Sequence, residues 1–161
     1  MEIERKFLIK EMPDLSKYPC KHFVQGYLCT SPTVRVRREG EEYFLTYKSR
    51  AGEDALSREE YNLPLTKEAF EKLLPKCDGT VISKTRYFIP LGKNREGSGL
   101  TAELDVFDAP FEGLVFTEVE FPTVEEARSF EAPDWFGEDV TDDRRYYNSY
   151  LSEAGSLRDF Q

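Results

Sequence analysis

Along most of this chain apolar and polar side chains alternate one for one, the period of a strand with one buried face. The alternation predicts eight strands: Glu2–Ile9, His22–Cys29, Thr33–Arg38, Glu42–Lys48, Ser57–Leu63, Thr80–Leu91, Leu100–Phe107 and Val115–Phe121. Turn-forming residues bound them. Met12-Pro13-Asp14 follows the first, Arg38-Glu39-Gly40-Glu41 folds the third back into the fourth, Ala51–Asp54 reads as loop, and Gly92–Gly99 reads as a flexible connection. Three stretches change to a helical period. Thr66 caps a helix that buries Phe70, Leu73 and Leu74 and stops at Pro75. Thr123-Val124-Glu125-Glu126 is a capping box ahead of Val124, Ala127 and Phe130. Thr141 opens a third helix with Tyr147, Tyr150 and Leu151 at helical spacing, and the residues after Gly155 read as frayed. Repeats and linkers are missing, so the 161 residues form a single domain.

The polar positions are mostly charged, and their signs are not mixed at random. Glu2, Glu4 and Lys6 share one face of the first strand, opposite Ile3, Phe7 and Ile9. Arg35 and Arg37 oppose Val34 and Val36; Lys48 opposes Leu45 and Tyr47; Arg58 and Glu60 oppose Tyr61 and Leu63. Lys84 shares a face with Arg86, Glu103 with Asp105, and Glu118 with Glu120. One such pair reads as a strand facing solvent. Seven of the eight strands show the pattern, however, and like charges are doubled two residues apart, where they repel across about 7 Å. A surface under no functional demand gains nothing from that arrangement. The face holds seven acids and seven bases, so the net charge of −9 resides entirely elsewhere. The expected fold is mainly β, of α+β class: a closed eight-stranded antiparallel barrel with a polar, charged lumen, its apolar outer face covered by the three helices.

Charge and composition narrow the chemistry. A net charge of −9 argues against a nucleic-acid surface, and no apolar run approaches the length of a membrane span. With charged residues at its start the chain reads as lacking a signal peptide, which makes the cytoplasm the expected compartment. Cys20, Cys29 and Cys77 are widely spaced and fit neither a disulfide framework nor a zinc knuckle. His22 is the only histidine, so a two-histidine metal site is excluded and triad chemistry would rest on one strand-end residue. Guanidinium and ammonium groups are the natural partners of phosphate oxygens. Clustered carboxylates suit Mg²⁺ or Mn²⁺, which would bridge them to a phosphate chain, lower the pKa of a bound water and offset charge on the transferring phosphoryl group.

Glu2-Ile3-Glu4-Arg5-Lys6 matches the Glu-x-Glu-x-Lys motif of the CYTH superfamily, the triphosphate tunnel metalloenzymes, and the chain resembles that family over essentially its whole length. Gln25-Gly26-Tyr27-Leu28, Arg35-Val36-Arg37, Lys48, Arg58 with Glu60, Lys84-Thr85-Arg86, Glu103-Leu104-Asp105 and Glu118-Val119-Glu120 follow in order. Trp135-Phe136-Gly137 and Val140–Tyr146 look like the short bacterial members. The resemblance implies a tunnel of eight antiparallel strands. It implies Glu2, Glu4, Asp105, Glu118 and Glu120 as metal ligands with Glu103 close by, and Lys6, Arg35, Arg37, Lys48, Arg58, Lys84 and Arg86 as phosphate-binding groups. Tyr27 and Lys84 match residues linked to turnover and cleavage preference. Asn62 departs from the pattern, standing where relatives often carry an acid. The implied activity is hydrolysis of inorganic triphosphate with Mg²⁺ or Mn²⁺, in a monomer or homodimer without nucleic-acid or membrane partners. A nucleoside or thiamine triphosphatase, a class IV adenylyl cyclase, or a non-catalytic polyphosphate- or nucleotide-binding module are the alternatives. An organic substrate would need an aromatic platform, for which Tyr27, Phe44 and Phe88 are the available residues.

Overall fold

The computed structural model describes residues 2–50, 57–93, 97 and 99–154, with the backbone alone for Arg50, Ser57 and Arg58. The expected loop at Ala51–Asp54, part of the Gly92–Gly99 connection and the tail after Gly155 lie outside the described residues. One antiparallel sheet holds β1 (Glu2–Ile9), β2 (Cys20–Thr30), β3 (Thr33–Glu39), β4 (Glu42–Arg50), β5 (Ser57–Pro64), β6 (Asp78–Lys93), β7 (Gly99–Phe107), β8 (Val115–Glu120) and β9 (Phe136–Asp139). Their order is β5-β4-β3-β2-β6-β7-β8-β1-β9.

The pairing of β1 decides the architecture. One edge runs beside β8, from Glu4↔Glu120 to Leu8↔Phe116. The other edge is used twice: β5 takes it at Glu2↔Arg58 and Ile3↔Ser57, and β9 takes it at Phe7↔Asp139 and Ile9↔Phe136. The β5 contact joins the two sides of the sheet into an eight-stranded ring. Two residue pairs make a short seam, so the barrel is less completely closed than the alternation predicts. β9 was not anticipated because it has four residues and buries only Phe136.

Helix α1 (Lys67–Leu73) starts where expected, the Thr66 hydroxyl accepting from the Ala69 N–H at 3.0 Å, and passes into a 3-10 turn at Pro75. Helix α2 (Val124–Ser129) is likewise capped by Thr123, which accepts from the Glu126 N–H. The third helix starts later than the sequence indicates. Thr141 does not cap it, because its hydroxyl accepts the Lys6 backbone N–H at 3.0 Å and bonds Asp139. Asp143 caps a 3-10 turn over Arg144–Tyr146 instead, and α3 spans Asn148–Ala154.

Two apolar clusters hold these elements together. The first lies outside the wall, where Ile3, Phe7, Ile89, Ala102, Leu104 and Val119 pack with Ala127 of α2 and Phe136 of β9. The second lies inside. Tyr27, Ile82, Phe107 and Phe116 share strand faces with the charged residues and pack against Phe111, Leu114, Val140, Tyr146 and Leu151. The interior is therefore not charged throughout: one end has an apolar floor, sealed by the C-terminal segment. Nor do the helices cover the whole outer face. α1 lies on β3 and β4, α2 on β1, and α3 on β6 and β2. Tyr47, Tyr61 and Leu63 remain exposed on the outside of β4 and β5. No helix among the described residues is long and apolar enough to cross a membrane.

Gly79 shows how tightly α3 is seated. Its φ is +70°, and a Cβ there would run into the Ser152 carbonyl oxygen of α3. Gly79→Ala should lower stability by about 3 kcal/mol, through the left-handed backbone and the displaced helix together. Urea unfolding followed by circular dichroism measures the loss.

Candidate functional site

Strand alternation brings the charged faces of β1, β3, β4, β6, β7 and β8 into one cavity above the apolar floor. Glu2, Glu4 and Lys6 enter it from β1, Arg35 and Arg37 from β3, Lys48 from β4, Arg86 from β6, Glu103 from β7, and Glu118 and Glu120 from β8. Tyr27 also lines it, at the floor. All eleven were singled out by sequence. Glu60 lines it as well, counted on the charged face but given no role. Five liners were missed: Thr33, Thr141, Tyr147, Asn148 and Ser149. The last four come from the C-terminal segment, which no strand pattern predicts to turn inward.

Three expected residues stand elsewhere. Arg58 places its backbone opposite Glu2, and its side chain lies outside the described residues. Lys84 and Asp105 have no exposed surface and do not line the cavity. They form the layer behind it. Asp105 accepts from Lys84 Nζ at 2.7 Å, from Arg86 Nε at 2.8 Å and from Arg86 Nη2 at 3.0 Å. Lys84 Nζ also donates to Asn148 Oδ1 at 3.2 Å, which ties the wall to the start of α3. Arg86 reaches back to the cavity, its Nη1 lying 3.0 Å from Glu103.

The electrostatics follow from burial and neighbours. Burial pushes the Lys84 ammonium down to about 7 against the pull of Asp105, and Arg86 and Arg37 press the same way as burial. Burial, Arg35 and Arg86 together lower Arg37 to about 10. Burial would raise Asp105, yet Arg86 and Lys84 hold its carboxyl below the usual range. Among the acids two pairs divide. Burial and the hydrogen bond to Glu60 raise Glu2 to about 7. Glu60 resists the same burial and is held near 2 by that hydrogen bond and by Lys48. Burial, Glu118 and Glu2 raise Glu4 well above the carboxylate range. Glu118 is held low, against its burial, by Lys6 and Arg86 and by the hydrogen bond from Glu4. In each pair burial and the neighbouring carboxyl push one acid up, while nearby cations hold its partner down.

Two observations bear on what the cavity accepts. The Nε of Arg35 is buried and has no hydrogen-bond partner among the described residues, although Nη2 reaches Thr46. A buried guanidinium donor left in that state is poised for an oxygen supplied from outside. The paired carboxyl groups of Glu2 with Glu60 and Glu4 with Glu118 are oxygen donors of the kind that a hard divalent cation takes. No three His, Cys, Asp or Glu side chains among the described residues converge to hold a metal by themselves. Mg²⁺-like ions take one or two carboxylates and complete their shell with water and phosphate oxygens. Phe44 and Phe88 are not among the residues that line the cavity, where the aromatic side chains are Tyr27 and Tyr147. Asn62 shares the inner face of β5 with Glu60, is exposed, and joins Thr46 to Glu60 by hydrogen bonds without being among the residues that line the cavity.

Known proteins resemble this chain over most of its length. The CYTH domain model matches residues 1–152. A protein from Nitrosomonas europaea named inorganic triphosphatase is 44% identical over 157 residues, covering 94% of this chain and 96% of its own. A second inorganic triphosphatase, from Acetivibrio thermocellus, is 36% identical, covering 93% of this chain and 92% of its own. The crystal structure of an inorganic triphosphatase superposes with a TM-score of 0.66 at 39% identity, covering 94% of both chains. With its charged ring, its opening strand and these relatives in agreement, the chain belongs to the CYTH domain family.

Proposed function

We propose that this protein hydrolyses inorganic triphosphate inside the charged cavity, with Mg²⁺ or Mn²⁺ as the divalent cation that the family implies. The observation that carries the reading is the unpartnered Arg35 Nε, buried in a cavity whose other cations are Lys6, Arg37, Lys48 and Arg86. Arginine forks and lysine point charges grip phosphate oxygens, and a chain of three phosphates has enough of them to engage cations from several walls. Glu4 and Glu118 would hold the metal from β1 and β8, with Glu2 and Glu120 beside them. When bound, the cation neutralises phosphate charge and makes a water acidic enough to attack, work that the exposed His22 is not placed to do.

The remaining steps belong to the chain's own groups. Arg35, Arg37 and Arg86 hold the phosphates against the metal-facing wall and withdraw charge as the bridging bond breaks. Lys48, raised by Glu2 and Glu4 beyond what burial takes away, stays a full cation beside the carboxylates. Asp105 acts one layer back: it aims Arg86 and shares its one negative charge between Lys84 and Arg86. Lys84, tied to Asn148, links the wall to the segment that seals the floor. Among the described residues the lining is charged or polar apart from Tyr27, which sits at the floor, and Tyr147 beside Lys6, which favours an inorganic substrate over a nucleotide or thiamine triphosphate.

Phosphate release with Mg²⁺ or Mn²⁺ from tripolyphosphate, ATP, thiamine triphosphate and pyrophosphate tests the reading. Tripolyphosphate should be the preferred substrate, and chelation should abolish release; cyclic AMP from ATP, or no release from any of them, overturns it. Glu4→Gln should lose turnover together with Mn²⁺ affinity, whereas Lys84→Ala should slow turnover and keep the metal. Calorimetric Mn²⁺ titration separates the two variants.

Asp105→Asn should cost about 3 kcal/mol at pH 7, since two buried cations lose their counter-charge. The sign with pH is fixed by the lowered carboxyl. Its stabilisation is complete above the ordinary value of 3.8 and is lost as pH falls through the lower folded value. The gap between wild type and variant should therefore close in acid, as urea unfolding from pH 7 to pH 3 would record.

A further inference from the structure

Gln25 of β2 is the one side-chain amide with no exposed surface in the barrel interior among the described residues, and nothing so far gives it a task. It stands opposite Arg37 in the β2–β3 register and two residues from Tyr27 on the same face. Its Oε1 accepts from Arg37 Nε at 2.8 Å. Its Nε2 donates to the Tyr27 hydroxyl oxygen at 3.3 Å. The two bonds fix each other's direction. A guanidinium Nε only donates, so the amide oxygen must face Arg37 and the amide nitrogen must face Tyr27. The Tyr27 oxygen is thereby an acceptor in this contact, and its O–H has no acceptor among the described residues. Tyr27 borders the cavity, where the nearest oxygens of an incoming phosphate chain would be.

We propose that Gln25 is a positioning residue, which turns the Tyr27 O–H toward the phosphate chain while holding the Arg37 fork in the same plane of the cavity. The inference rests on the triphosphate reading above. An amide is required at this position because it presents an acceptor and a donor a fixed distance apart. A carboxylate of the same shape presents two acceptors: it would keep Arg37 but capture the Tyr27 O–H for itself. An apolar side chain of the same volume would release both.

The test is a double-mutant cycle of Gln25→Glu and Tyr27→Phe, read on kcat for tripolyphosphate and on its Kd by calorimetry. Each single variant should lower kcat about 100-fold, the loss of one preorganised donor. The double variant should match the weaker single variant to within about twofold, because both changes remove the same donor. A merely structural role for Gln25 would give losses that multiply. Multiplied losses, or wild-type kcat in Gln25→Glu, overturn the proposal. Gln25→Met, which adds no buried charge, carries the same cycle where Gln25→Glu fails to fold. If wild type binds tripolyphosphate without releasing phosphate, the triphosphatase reading fails alone and the cycle is decided on Kd. If wild type does not bind it, both fall.

Discussion

Charge taken out of water has to be matched at short range, and that constraint shapes this molecule more than any other. Asp105 and Lys84 have no exposed surface and Arg86 has almost none, yet all three carry groups that are costly to bury alone. The structure solves this by placing one carboxylate against two cations, with both of its oxygens taken. Ion pairs of this kind contribute little net stability compared with apolar packing of the same volume. Their presence in the wall behind the cavity therefore reflects what the cavity is for. The layer at the cavity itself is different: among the described residues Arg35 keeps a buried donor unpaired there, so matching is less complete than in the wall behind.

The strand that opens the chain carries both halves of the design. Its inward face supplies Glu2, Glu4 and Lys6, while its edge closes the ring against β5. Its outward face holds the periphery. Arg5 donates to the carbonyl of Ala127 in α2 at 2.8 Å and pairs with Asp139 of β9 at 2.7 Å. Glu2 meets both roles in one residue: it opposes Arg58 across the seam and pairs with Lys48 at 2.6 Å inside. A change at the seam is thus also a change in the cavity, which couples barrel closure to the binding site.

How much of this was legible depends on what period two can encode. Alternation assigns a side chain to a face, so it placed Arg35, Arg37, Glu118 and Glu120 correctly. It does not encode depth. Asp105 lies on the same face as Glu103, yet one is sealed behind the cavity and the other borders it, a difference set by register against β6, where Arg86 pairs with Asp105. Inward-facing apolar residues were misleading for the same reason. Phe107 and Phe116 continue the charged faces of β7 and β8, and only the packing of Tyr146 and Leu151 against that end shows that they form a floor. Thr141 is a reasonable helix cap by composition, but its hydroxyl is already spent on Lys6 and Asp139. Asn148 and Ser149 reach the cavity from the first turn of α3, whose placement across the barrel end no local pattern fixes.

The floor has an electrostatic consequence that the charged ring alone would not have. Apolar packing at one end excludes water from beneath the cavity, and interactions at its lower rim act through a weaker dielectric than those at the mouth. Lys6 sits on that boundary. Its ammonium lies 4.8 Å from the Phe116 ring and 3.5 Å from Glu118, and it donates to the Tyr146 carbonyl. One hydrogen bond and one ion pair therefore hold it to the protein, and Tyr147 flanks it with a ring at 5.3 Å. A lysine so confined cannot follow a mobile ligand; the ligand has to come to it. Under the proposed function the third residue of the opening motif would fix where along the barrel a phosphate chain is met, at the level where the charged ring gives way to the apolar floor.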